Sequence, residues 1–278
     1  MKGATMEITR EIALKVRETV AAGLVNGMGR PEPGHMCVEA AVCYAMGLPH
    51  SDRPTCVSPA IRALKIALND KLWSSNEARA KGLARLALVQ LGSADAVDDR
   101  EFSRRVAEMM IRVFVPVALR AAARRNPKHA EAMEAAAVKC ERDGTVASAR
   151  EAQAAADAAA DAAYAADAAA YAACAADAAA DAYAYAADDA AAASAAAADA
   201  AYAAACAAAD AAYAADAADA AAYAADAAAA YAAAAADAAS TRDRVLADFA
   251  ERVVQILVEI GAPGAQWLNL SPLEVVNA

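Results

Sequence analysis

Near the start of the chain the apolar residues step by four: Ile8, Ile12, Val16, Val20 and Leu24. That spacing puts them on one face of a helix, and the turn cluster GRPEPG, Gly29 to Gly34, stops it. HMCVEAAVCYAMG reads as a short buried helix ending at Gly47, and LPHSDRPTC as a loop. Ser58-Pro59 is an N-cap followed by a first-turn proline, with the helix AIRALKIALND behind it. A Ser74…Glu77 capping box opens SSNEARAKGLARLALVQLG, which ends at Gly92. Asp98 or Asp99 caps a longer helix through Arg125, and Pro116 inside it predicts a kink. Asn126-Pro127 breaks the chain, a further helix runs to about Glu141, and RDGT closes the region. No stretch alternates as a strand does. The pattern predicts an all-α protein with a compact helical domain over residues 1–145.

The pattern then changes. Of the 89 residues from 152 to 240, 63 are Ala, and the rest are 13 Asp, 8 Tyr, 2 Cys, 2 Ser and one Gln. Alanine has the best helix propensity, and no glycine or proline interrupts. The companions keep a step of three or four: Asp157, Asp161, Tyr164, Asp167, Tyr171, Cys174, Asp177, Asp181, Tyr185, Asp188, and again Asp199, Tyr202, Cys206, Asp210, Tyr213, Asp216, Asp219, Tyr223, Asp226. Such a step is close to the ~3.5 period of a left-handed supercoil. It sets Asp and Tyr on one stripe, with alanine over the remaining surface. Residues 146–240 are therefore expected to form a helical repeat array packed Ala on Ala, with breaks near Asp188-Asp189 and Ser194; one long supercoiled helix is the alternative. Residues 241–278 are expected to hold an amphipathic capping helix, Arg242 to Gly261, and a tail with Trp267 and a Ser271-Pro272 cap.

Charge follows the same division. Residues 1–150 carry 23 Lys+Arg against 17 Asp+Glu, a net of +6. Residues 151–278 carry 3 against 19, a net of −16. Such asymmetry suits a charged partner, self-association, or simple solubility of an alanine-rich surface. Asp interrupts the Ala tract too often for a membrane span. The six cysteines show no framework spacing and no secretory leader opens the chain, so a cytoplasmic protein with reduced thiols is expected.

Reactive residue types cluster once, in GHMCVEAAVCYAMGLPHSDRPTC: His35, Cys37, Glu39, Cys43, His50 and Cys56. As a zinc set the spacing lacks the usual close Cys pair. As a nucleophile, Cys37 stands at a predicted helix start, where the dipole lowers a thiol pKa, with His35 or His50 as base. Against both, Cys37 and Cys43 read as small packed residues of a buried helix. The Asp stripe is too dilute along a single rod to mimic DNA at one charge per ~1.7 Å. The basic stretch RVFVPVALRAAARRNPKH lacks interleaved aromatics for nucleic acid.

The arrangement CVEAAV…IALND…ARAKGLARLALVQLG resembles small helical bacterial and phage-borne proteins of unknown function, the matching positions being Cys37 to Val42, Asn69-Asp70 and Arg79 to Gly92. The Ala/Tyr/Asp tract resembles the alanine-rich C-terminal part of immunity proteins of bacterial toxin systems. The resemblance implies a helical, non-enzymatic protein of the immunity or defence-antagonist kind, and separately no cofactor or metal is expected. The expected partner is another protein, a basic one being the electrostatic match, or a second copy. The expected contact residues are Tyr164, Tyr171, Tyr185, Tyr202, Tyr213 and Tyr223 with Asp167, Asp177, Asp210 and Asp216. A structural spacer and a thiol or metal protein centred on Cys37 are the competing readings.

Overall fold

The computed structural model describes residues 7–160, 176, 203 and 227–270, and all of the following refers to these. The fold is all-α. Its helices are α1 (Arg10–Ala21), α2 (Val38–Ala45), α3 (Pro59–Asn69), α4 (Asn76–Val89), α5 (Asp99–Met109), α6 (Val115–Arg125), α7 (Ala130–Asp143), α8 (Val146–Ala160) and α9 (Ala227–Glu259). Short 3₁₀ turns span Pro127–His129 and Pro263–Trp267. α4 is the central element, packing against α1, α2, α9 and the last 3₁₀ turn, while α6, α7 and α8 pack on one another.

Helix starts follow local chemistry. Thr9, Ser58 and Asp98 accept hydrogen bonds from first-turn amides of α1, α3 and α5. The cap of α4 is Ser75, which accepts from Ala78 N at 3.1 Å, and not Ser74. Ser74 is drawn away because its amide and hydroxyl both donate to Asp243 on α9. α1 ends at Ala21, short of Leu24, because Leu24 and Val25 turn their amides to Asn76 and Met36 instead.

The expected kink site at Pro116 carries a distinct local geometry. A π-helical turn, Met110–Phe114, joins α5 to α6 immediately before the proline. Val115 N donates to Met110 O across this wider i→i+5 turn, and α6 follows it directly. Arg112, inside that turn, donates to the carbonyls of Glu141, Arg142 and Asp143 at 2.7–3.1 Å. It thereby caps α7 at the negative end of its dipole.

The last helix is longer than its amphipathic stretch. α9 extends back to Ala227, since alanine and Asp237 offer nothing that ends a helix before Ser240-Thr241. Leu246, Phe249, Val253 and Leu257 are buried in the same cluster as the cores of α1 to α7. So are Ala149, Ala152, Ala156 and Ala159 of α8, and the helical Ala176 and Ala203. The α8 alanines step by three and four, and an alanine face lets backbones approach near the ~8 Å limit of helix packing.

Gly82 sits in the middle of α4 for a steric reason. A Cβ there would lie 2.4 Å from Cη2 of Trp73, whose buried indole lies against the helix and donates from Nε1 to Leu68 O. At an open helical site Gly→Ala gains about 1 kcal/mol. Here Gly82→Ala should lose about 1–3 kcal/mol through overpacking. In a Trp73→Leu background the same change should be neutral or stabilising. Urea denaturation of the four proteins of this cycle measures the coupling, and additive effects would remove the steric explanation.

Candidate functional site

The cysteine-rich cluster separates into an inside and an outside. Cys37 is the N-cap of α2, its sulfur accepting from Ala40 N at 3.4 Å. Cys37, Cys43 and Cys56 are all buried, and Cys56 donates to Met46 Sδ at 3.4 Å. His35 lies on the exposed surface and His50 is partly exposed, with Nε2 meeting the Gly29 carbonyl at 3.1 Å. Gly29, at φ +70°, is fixed as glycine because a Cβ would fall 2.0 Å from His35 O. Among the described residues no group of three or more His, Cys, Asp or Glu is placed to hold a metal ion.

The helix start does not activate Cys37. Desolvation raises its thiol pKa, and the opposing backbone hydrogen bonds at the start of α2 are the smaller effect. Burial likewise raises Cys56 and pushes Cys43 up to about 12, with the charge of Glu39 adding to both.

What the sequence reading missed is the charge at the centre. Lys65 of α3 and Glu39 of α2 are wholly buried and face each other, Nζ to Oε1, at 3.4 Å. Gln90, next to the end of α4, donates from Nε2 to Glu39 Oε2 at 3.3 Å. Lys65 Nζ, Glu39 Oε1 and Gln90 Oε1 have no hydrogen-bond partner among the described residues. Burial drives the Glu39 carboxyl pKa up and the Lys65 amine down, and each charge partly restrains the shift of the other. The signal was present in the sequence. Lys65 shares a helical stripe with Ile61, Leu64 and Leu68, and Gln90 shares one with Leu83, Leu86 and Ala87.

A second polar network adjoins the first. Asn69, buried at the end of α3, accepts from Val38 N at 3.2 Å and donates to Val25 O at 2.9 Å. Arg79 of α4 donates to Asn69 O at 2.8 Å and Leu24 O at 3.0 Å. Asp70 accepts from Gly27 N at 2.8 Å. The segments Cys37–Val42, Asn69-Asp70 and Arg79–Gly92 thus meet in one place, where they tie the loop after α1 to α2, α3 and α4. This chemistry holds helices together: Asn69 and Arg79 are buried, and Asp70 with Gly27 forms its exposed edge.

The ten contact residues expected on the tract, Tyr164, Tyr171, Tyr185, Tyr202, Tyr213, Tyr223, Asp167, Asp177, Asp210 and Asp216, lie outside the described residues, as do the breaks near Asp188 and Ser194 and the Ser271-Pro272 cap. Among the described residues no helix is long and apolar enough to cross a membrane. Comparison with protein-family models, curated proteins and solved structures finds no match to this chain.

Removing one member of the buried pair leaves the other charge without compensation. Glu39→Leu or Lys65→Met alone should cost about 3–5 kcal/mol. Replacing Glu39, Lys65 and Gln90 together by Leu, Met and Leu should be neutral or stabilising by about 1–4 kcal/mol, because the desolvation penalty disappears with the charges. Denaturant titration checks both; a triple variant as unstable as the single ones would mean that the polar groups contribute more than mutual neutralisation.

The raised thiols give a kinetic expectation. At pH 8 a thiol with pKa near 12 is thiolate in only about one molecule in 10⁴. Iodoacetamide at pH 8 should therefore label Cys37, Cys43 and Cys56 far more slowly in the native protein than in urea. Peptide mass mapping reads each site, and fast native labelling of Cys37 would place its thiol in an open, activated setting.

Proposed function

We propose that the chain is a non-enzymatic interaction protein, of the immunity or defence-antagonist kind, that binds another protein through the surface of its Ala/Asp/Tyr tract. The observation supporting this is how the tract is mounted. The helix entering it, α8, and the helix leaving it, α9, are both buried in one cluster with the cores of α1 to α7. A tract anchored at both ends presents its tyrosines with less ordering entropy to lose than a free tail would. Meanwhile the groups that would serve covalent chemistry are committed internally: Cys37 caps α2 and Glu39 faces Lys65. Tyrosine is the natural contact residue of such a surface, combining a large apolar ring with a hydrogen-bonding tip. Its acidic companions favour a basic partner and fast encounter. The four described cysteines are free and buried, which fits a cytoplasmic setting.

The test compares three immobilised full-length proteins: the native chain, a variant with the six contact tyrosines changed to alanine, and Cys37→Ser. Quantitative mass spectrometry of proteins retained from a bacterial lysate should show a partner held near stoichiometry by the native chain. Retention should fall at least ~10-fold in the tyrosine variant, the equivalent of about 1.4 kcal/mol, and persist in Cys37→Ser. A partner retained equally by the tyrosine variant would overturn the proposal. So would loss of the partner in Cys37→Ser with an unchanged circular dichroism spectrum.

A further inference from the structure

α4 and α9 pack together through small residues, and between them lies a cavity of about 390 Å³. Its size is that of a small-molecule site, roughly 300–1,000 Å³. The floor is the Trp73 indole, held against α4 by the absence of a side chain at Gly82. Ala78 on one helix and Ala247, Ala250 and Val254 on the other form the walls, at steps of three and four that keep them on the facing sides.

The mouth is charged, and the charges are not equivalent. Asp243 is engaged by the amide and hydroxyl of Ser74. Glu251 is engaged by Arg85 at 2.8 Å. Lys81 and Arg244, both exposed, line the same cavity and form no hydrogen bond, ion pair or ring contact among the described residues. The acids are committed and two cations are not. An apolar, aromatic-floored cavity with uncommitted positive charge at its rim is complementary to a molecule with an apolar body and an anionic head.

We propose that the α4/α9 cavity is a binding site for a small aryl or branched aliphatic carboxylic acid, its ring or chain resting on Trp73 between the helices and its carboxylate held by Lys81 and Arg244. The site uses no residue of the Ala/Asp/Tyr tract, so it stands or falls separately from the protein-binding proposal. Because Trp73 forms the floor, the binding event reports on itself through indole emission.

The test uses the full chain carrying Trp267→Phe, which leaves Trp73 as its only tryptophan. Phenylpropionate is titrated at low salt, with phenylpropionamide as the neutral match of nearly the same shape. Trp73 emission should change saturably with the acid. The response should weaken about tenfold or more for the amide, for the Lys81→Met/Arg244→Met variant and for Lys81→Glu alone, as expected when charge-assisted hydrogen bonds are lost. Both changed residues are exposed, and thermal melting confirms that each variant is folded. No saturable change at millimolar acid, equal binding of acid and amide, or full binding by the folded double variant would each overturn the proposal.

Discussion

The arrangement of α2, α3 and α4 turns on one pair of charges that water does not reach. Lys65 and Glu39 come from different helices and meet with both side chains wholly buried. A rotation or slip of either helix would strand an amine or a carboxylate in apolar surroundings, and the cost of that far exceeds the loss of a methyl contact. Gln90 extends the same condition to α4. Apolar side chains alone would tolerate several registers, because burial is not directional. The buried pair tolerates few. Its neighbour, the Asn69–Arg79 network, adds directional bonds to the backbone of the loop after α1, so that the same helices that share the pair also fix the loop's path.

The low dielectric that makes this pair demanding also determines the chemistry of the cysteines. Cys37 stands where a helix dipole acts on it, yet desolvation is the larger effect, so the thiol is held protonated and spends its lone pair on an amide. The negative charge of Glu39 pushes Cys43 and Cys56 in the same direction. A residue set that resembles a reactive centre when written along the chain thus becomes an interior when folded. His35 is turned outward, His50 is half-buried, and the sulfurs face inward.

Much of the N-terminal fold was legible in the sequence because its signals are local. Ser58-Pro59, Asp98, the Asn126-Pro127 break and the glycine at 144 each act on their own turn of chain, and the helices start and stop where these residues require. Departures arose where a distant residue competed. Ser74 lost the capping role to Ser75 because Asp243, 169 positions away, takes both its donors. A π-helical turn precedes Pro116, a local feature that the residue spacing does not specify. Lys65 was passed over for a different reason. Reading lysine as solvent-facing ignores that residue 65 falls on the stripe of Ile61, Leu64 and Leu68, and its partner on another helix cannot be inferred from spacing.

Alanine explains the remaining design. A buried methyl contributes about 0.8 kcal/mol, against about 1.5–3 for a large aliphatic or aromatic side chain. A helix such as α8, buried through Ala149, Ala152, Ala156 and Ala159, gains closeness of approach more than energy. α9 supplies the energy from one end: the same continuous helix that begins in alanine at residue 227 finishes with Leu246, Phe249, Val253 and Leu257 in the core. Because helix formation is cooperative, order in that anchored segment propagates back along the alanine part at the low cost per residue of extending an existing helix. The anchor therefore stabilises chain that has little stabilisation of its own. The alanine part of α9 is in this way fixed to a core built on large apolar side chains.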